Sequence, residues 1–202
     1  MTQNNYLIAI TGNIGSGKST VLKTVNELGF PTLSLDEFTE KAYELQKDNL
    51  IKTFGKEIIK DGKVDRKTLA KIVFGDSVKR KLLNELLHPV IFELAFCEAK
   101  EYPVCFVEVP LLFESGYADK FDEVWLVIAP KSTLEKRVLF RDNMSKDEFE
   151  KRLNAQITDE SKLSLAHYVI KNDGDLQDLK KQTALLSKGS KINDCLILTQ
   201  NF

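Results

Sequence analysis

Cysteine is scarce in this chain: Cys97, Cys105 and Cys195 are three among 202 residues, with no CxxC spacing. An odd set so placed supports neither a disulfide framework nor a zinc site. Cys105 lies inside the apolar run PVCFVEV and reads as a small buried residue. Charge of one sign is also missing, since 29 Lys and Arg meet 30 Asp and Glu, for a net charge of −1. That balance, with a pI of 6.2, excludes a broad electrostatic footprint for nucleic acid. The local cluster Lys79-Arg80-Lys81 reads as a solvated helix face. No apolar run approaches bilayer length, and MTQNN lacks the charged-then-apolar order of a secretion signal. The expectation is a cytoplasmic protein without membrane or nucleic-acid partners; oligomeric state is left open. Repeats and low-complexity tracts are absent, and only the stretch after Leu186 looks loosely organised.

What is present is an alternation of short apolar runs with segments of helical period. YLIAIT (6–11), TLSL (32–35), PVCFVEV (103–109), VWLVIA (124–129) and YVIK (168–171) read as five strands. After the first run, Val21, Val25 and Leu28 share a helix face that Gly29 closes. Short continuous strands separated by helices predict a parallel sheet covered on both faces. Two stretches exceed what a crossover needs. In 36–101, Asp65 can cap a helix carrying Leu69, Ile72 and Val73, and Leu82, Leu83, Leu86 and Leu87 form the stripe of another. His88-Pro89 is expected to break that second helix. A shorter charged stretch, 141–165, contains Arg141, Lys151, Arg152 and Lys162. The reading is a core of about 1–35, 102–140 and 166–186, a helical insertion at 36–101 and a lid at 141–165.

Between the first strand and first helix stands GNIGSGKST, residues 12–20. Gly12, Gly17, Lys18 and Ser19 complete GxxxxGK[ST] in the strand–loop–helix context that a phosphate-binding loop requires. Glycines let successive N–H groups turn inward and leave room for a phosphate. The helix start adds free amides and the positive end of its dipole. In this reading the backbone of Gly15, Ser16, Gly17, Lys18, Ser19 and Thr20 wraps the phosphates of ATP. Lys18 supplies charge to the β- and γ-phosphates, and the Ser19 hydroxyl ligates Mg²⁺.

Such loops serve switches, motors and kinases alike. A regulatory GTPase would carry DxxG and NKxD, and the chain contains neither. Two insertions suit a small-molecule kinase, which needs a second substrate pocket and a lid that excludes water. A non-catalytic nucleotide switch, or a kinase of some other nucleoside-like acceptor, stays open as an alternative. Asp36, at the end of the second strand, is either a helix N-cap or a carboxylate that reaches an acceptor hydroxyl. Glu108 ends the third strand and either holds a magnesium-bound water or is an ordinary strand-end charge; Glu114 follows in PLLFE. Arg137 and Arg141 are four apart on one helix face. They either stabilise charge on a transferring phosphoryl group or pair with Glu135 or Asp142 at the surface.

The chain resembles the dephospho-coenzyme A kinases. ITGNIGSGKST, VDRKTLAKIVF (64–74), LLHPVI (86–91), VPLLFESG (109–116), RVLFRD (137–142), the Arg152-to-Gln156 spacing and AHYVIKNDGDLQDL (166–179) follow that family's order. The resemblance implies a P-loop NTPase-type α/β core with a helical substrate subdomain and a lid. It implies transfer of a phosphoryl group from ATP, with Mg²⁺, to the 3′-hydroxyl of the ribose of dephospho-CoA, giving CoA and ADP. Asp36 is then the acidic residue facing the acceptor hydroxyl, Arg141 the lid arginine near ATP, and Arg66 and His88 lie in substrate-side segments. Ser34, Glu40 and Phe92 stand where the family usually has Asp, Arg and Arg, with Lys41 beside Glu40; His167 replaces a usual Asp.

Overall fold

The computed structural model describes residues 5–142, 144–189 and 192. Strand β1 (Tyr6–Thr11) is buried along nearly its whole length, as a strand with neighbours on both edges and cover on both faces must be. It pairs in parallel with β5 (Val104–Glu108) and β6 (Glu123–Ile128). Strand β2 (Thr32–Ser34) lies beyond β5, and β7 (Tyr168–Lys171) runs parallel to β6, giving the order β2-β5-β1-β6-β7. The first strand in sequence is thus central, and the helices that return the chain must cross over the faces. Helices α1 (Lys18–Glu27) and α10 (Leu176–Gly189) pack together. They bury Val21, Val25 and Leu179 in one cluster with Ile8, Phe106 and Trp125. This is the P-loop NTPase α/β fold.

Aromatic rings run edge to face across the sheet: Phe30 on Phe106 at 5.4 Å, Phe106 on Trp125 at 5.1 Å, and Trp125 on Tyr168 at 6.2 Å. Trp125 is fully buried, and its indole N–H donates to Glu123 Oε2 at 3.0 Å. The other oxygen of Glu123 accepts from Tyr6 Oη at 2.9 Å. Truncating a tryptophan so enclosed costs about 3–5 kcal/mol.

Two compact units divide the chain: 1–33 with 99–202, and 34–98. The second contains a 3₁₀ turn (Leu35–Phe38) and the helices α2 (Thr39–Leu45), α3 (Lys47–Phe54), α4 (Arg66–Val73) and most of α5 (Ser77–Ala99). It also has a hairpin of β3 (Ile59–Lys60) and β4 (Lys63–Val64), which the helical reading of 36–101 does not include. Asp65 caps α4 by accepting from the Lys67 N–H and the Thr68 hydroxyl.

The expected break at His88-Pro89 is not there: α5 continues through Pro89. Proline removes one helical hydrogen bond, but Pro89 is exposed, so water can serve the freed carbonyl. On the opposite side Leu87, Ile91 and Ala95 are buried four apart and hold both halves in line. Of the four leucines expected in the stripe, only Leu87 is buried, and Leu82 is exposed. Phe92 is buried, its ring 5.7 Å from Phe96 and 6.5 Å from His88, so position 92 is a packing position.

In the first unit α6 (Leu112–Ser115) follows β5 and α7 (Lys131–Asp142) follows β6. The stretch expected as a lid holds α8 (Lys146–Asn154) and α9 (Asp159–Leu163). A capping box between Ser145 and Glu148 starts α8. Helix α10 runs past Leu186, with Ser187 buried and Ile192 in the core, so the loose organisation expected there does not begin at that residue. Cys195 and residues 193–202 lie outside the described residues. Cys105 is buried and free, and Cys97 is exposed and free. No helix among the described residues is long and apolar enough to cross a membrane.

Candidate active site

The loop after β1 ends at Gly17, the N-cap of α1, with φ +103° and no side chain to occupy the first-turn amides. A Cβ there would lie 2.2 Å from Asn172 Nδ2. Left-handed backbone and crowding both require glycine. The neighbouring Ser16 carbonyl accepts from that same Asn172 amide at 2.7 Å. Lys18 is nearly buried, and its ammonium reaches back over the loop to the carbonyls of Gly12 and Asn13 at 3.1 and 3.2 Å. A cation is therefore held over a loop of inward-turned backbone, with the positive end of α1 behind it.

Ser19, in the first turn of α1, donates its hydroxyl to Glu108 Oε1 at 3.1 Å. Glu108 ends β5 and is mostly buried. A serine hydroxyl beside a carboxylate is an oxygen donor set suited to Mg²⁺, which takes few protein ligands and keeps several waters. Among the described residues there is no cluster of three or more His, Cys, Asp or Glu side chains able to hold a metal.

Arg137 and Arg141 share one face of α7 but have different surroundings. Arg137 donates through Nη2 to Asn172 Oδ1 at 3.1 Å, while its buried Nη1 has no partner among the described residues. Asn172 thus joins Arg137 to the Ser16 carbonyl. Arg141 makes two bonds to Asp142, 2.6 and 2.8 Å, at an exposed position. Those bonds raise its pKa further and lower that of Asp142. The surface pairing considered for this arginine exists, and Glu135 pairs instead with Lys146. Both arginines line a cavity of about 370 Å³ together with Gly15, Gly17, Thr20 and Asn172. The phosphate loop and the two arginines therefore meet at one cavity.

Asp36, Arg66 and His88 belong to the second unit. Asp36 caps no helix: the 3₁₀ turn has Ser34 at its N-cap, and α2 has Phe38. Leu35 and Phe38 are buried on either side and leave Asp36 exposed. Arg66 heads α4 with its guanidinium 5.5 Å from the centre of the Tyr43 ring. Burial raises the Tyr43 phenol pKa against the opposing charge of Arg66. Both line a cavity of about 570 Å³ with Glu40, Lys41, Lys47 and Lys63. His88 is half-buried in α5, and burial lowers its pKa.

His167, in the place of a usual Asp, accepts from the Val124 N–H through Nδ1 at 3.0 Å. A neutral imidazole offers the one acceptor needed there. Asn172 escaped sequence reasoning, although it stands in the KNDGD stretch directly after β7. Glu114, in the PLLFE stretch, accepts from the Ile157 N–H at 2.9 Å and lies 3.3 Å from Lys162 Nζ.

Comparison with known proteins agrees with this geometry. The family model described as Dephospho-CoA kinase matches residues 6–178. A protein of Thermus thermophilus named dephospho-CoA kinase is 38% identical over 177 residues, 87% of each chain. One of the same name from Wolinella succinogenes is 34% identical over 194 residues, 92% of this chain and 95% of its own. A crystal structure of TT1252 from Thermus thermophilus superposes with a TM-score of 0.81 at 37% identity, covering 92% of this chain and 98% of that one. The family match reaches both units, and the chain belongs to the dephospho-CoA kinase family.

Proposed function

We propose that the chain transfers the γ-phosphoryl group of ATP to the 3′-hydroxyl of the ribose of dephospho-CoA, forming CoA and ADP in the last step of CoA biosynthesis. The observation that carries this is the meeting of the phosphate loop, through Gly15, Gly17 and Thr20, with two arginines at one cavity, in a chain of this family. The backbone of Gly15 to Thr20 wraps the triphosphate, and Lys18 offsets charge on its outer phosphates. Ser19 and Glu108 would hold Mg²⁺, directly and through water; the ion neutralises charge on the β- and γ-oxygens when bound. Arg137, fixed by Asn172, and Arg141 stabilise the charge of the group in transfer.

Asp36 orients the acceptor hydroxyl. In a loose transition state the hydroxyl proton leaves late, so the placement of this carboxylate matters more than proton abstraction. In the second-unit cavity Arg66, Lys41, Lys47 and Lys63 outnumber Glu37, Glu40 and Glu44 by one, which leaves cations to meet an anionic acceptor, and His88 completes the substrate side. Segment 36–101 acts as the substrate subdomain, 141–165 as the lid, and the enzyme works in the cytoplasm.

The test uses purified protein with ATP and Mg²⁺, offering dephospho-CoA or adenosine and following ADP. ADP formed only with dephospho-CoA is the expected result. Equal use of adenosine would replace the acceptor, and slow release independent of acceptor would replace the kinase reading with a nucleotide switch.

A further inference from the structure

One fully buried ammonium is unused by the mechanism above. Lys162 lies in α9 with no exposed surface. It donates to Asn13 Oδ1 at 2.5 Å and lies 3.3 Å from Glu114 Oε1. Asn13 sits in the phosphate loop, and its other amide end donates to Asp159 Oδ1 at 2.7 Å. An acceptor on one partner and a donor on the other admit only one orientation of that amide. The next loop residue, Ile14, donates its N–H to Gln156 Oε1 at 3.1 Å. Glu114 takes the Ile157 N–H through the same oxygen that faces Lys162. Residues 156–162 therefore clasp positions 13 and 14 from outside, one residue before the amides assigned to phosphate.

As a stabilising device this node is poor. Burying an ammonium and a carboxylate costs several kcal/mol per ion, and apolar replacements of such pairs are often neutral or better. Glu114 Oε2 is buried without a partner among the described residues, a further cost. Burial also raises the Asp159 pKa, against the charge of Lys162. What directional bonds supply and apolar packing does not is a fixed orientation. We infer that Lys162, Glu114 and Asn13 are positioning residues, which set the phosphate-loop backbone for ATP and couple it to the segment returning from α8. This rests on the ATP-kinase reading of the loop.

Asn13→Ala cuts the link while leaving Lys162 and Glu114 paired. Its expected signature is at least a tenfold rise in KM for ATP with a fall in kcat, an unchanged KM for dephospho-CoA, and faster hydrogen exchange at amides 14–20. Lys162→Met strands a carboxylate with one buried oxygen and is expected to lower Tm as well. The double variant Lys162→Met/Glu114→Gln removes both charges and recovers Tm, yet keeps the raised KM for ATP. Recovery of ATP kinetics together with Tm in the double variant, or wild-type kinetics and exchange in Asn13→Ala, would overturn the inference. If the wild type transfers no phosphoryl group while exchange at 14–20 still quickens in Asn13→Ala, the positioning role stands and the kinase reading falls.

Discussion

The Ser19 hydroxyl donates to Glu108 Oε1 across 3.1 Å, tying the first turn of α1 to the end of β5. In the proposed site these two groups, 89 residues apart in sequence, would hold Mg²⁺, Ser19 directly and Glu108 through water. Partners behind a direct metal ligand typically contribute 10–100-fold in affinity. Glu108→Gln keeps the shape and removes the charge. It is expected to raise the Mg²⁺ concentration for half-maximal turnover by at least about tenfold, while ATP affinity measured in EDTA stays near wild type. An unchanged magnesium titration would reduce Glu108 to an ordinary strand-end charge.

Gly17→Ala meets two obstacles, a left-handed backbone and the Asn172 amide 2.2 Å from the new Cβ. Gly29→Ala is the natural control, with φ +92° and nothing within 4 Å of its Cβ. Both variants take on backbone strain of about 1–2 kcal/mol, visible in urea unfolding. Only Gly17→Ala is expected to lose ATP binding, by tenfold or more in Kd. Parallel loss of ATP binding in Gly29→Ala would mean that general destabilisation, not loop geometry, controls the site.

Asp36→Asn separates acceptor orientation from nucleotide binding. The side chain is exposed in a turn anchored by Leu35 and Phe38, so the variant is expected to fold normally. Turnover with dephospho-CoA should fall at least ~100-fold, the lower range for positioned acid–base groups, with Kd for ATP unchanged. Near-normal turnover would remove Asp36 from the mechanism.

What could be read from sequence follows the range over which the cause acts. The phosphate loop is contiguous, and its glycines, lysine and serine each meet a local demand, so GNIGSGKST announced itself. The five strands of the main sheet were legible because burial on both faces leaves unbroken apolar runs. Pro89 misled because its local penalty is outweighed by Leu87, Ile91 and Ala95, whose burial no neighbouring residue signals. The contact of Asn13 with Lys162 spans 149 residues and depends on tertiary packing alone. Arg137 and Arg141 looked equivalent at helical spacing, and only Asn172 and Asp142 tell them apart.

His88 gives a prediction in pH rather than in rate. Burial lowers its folded-state pKa, so the fold holds the neutral ring, while the unfolded chain takes up a proton near the ordinary value of about 6.5. Below that value the unfolded state binds more protons, and stability falls as pH drops toward the folded pKa. Above it the contribution is fully present. His88→Gln removes this proton uptake without removing a helix former. The Tm lost between pH 7.5 and 5.5 is therefore expected to be smaller in the variant than in the wild type. Identical pH dependence in the two proteins would mean that His88 titrates alike folded and unfolded, and that burial of its ring does not govern stability in this range.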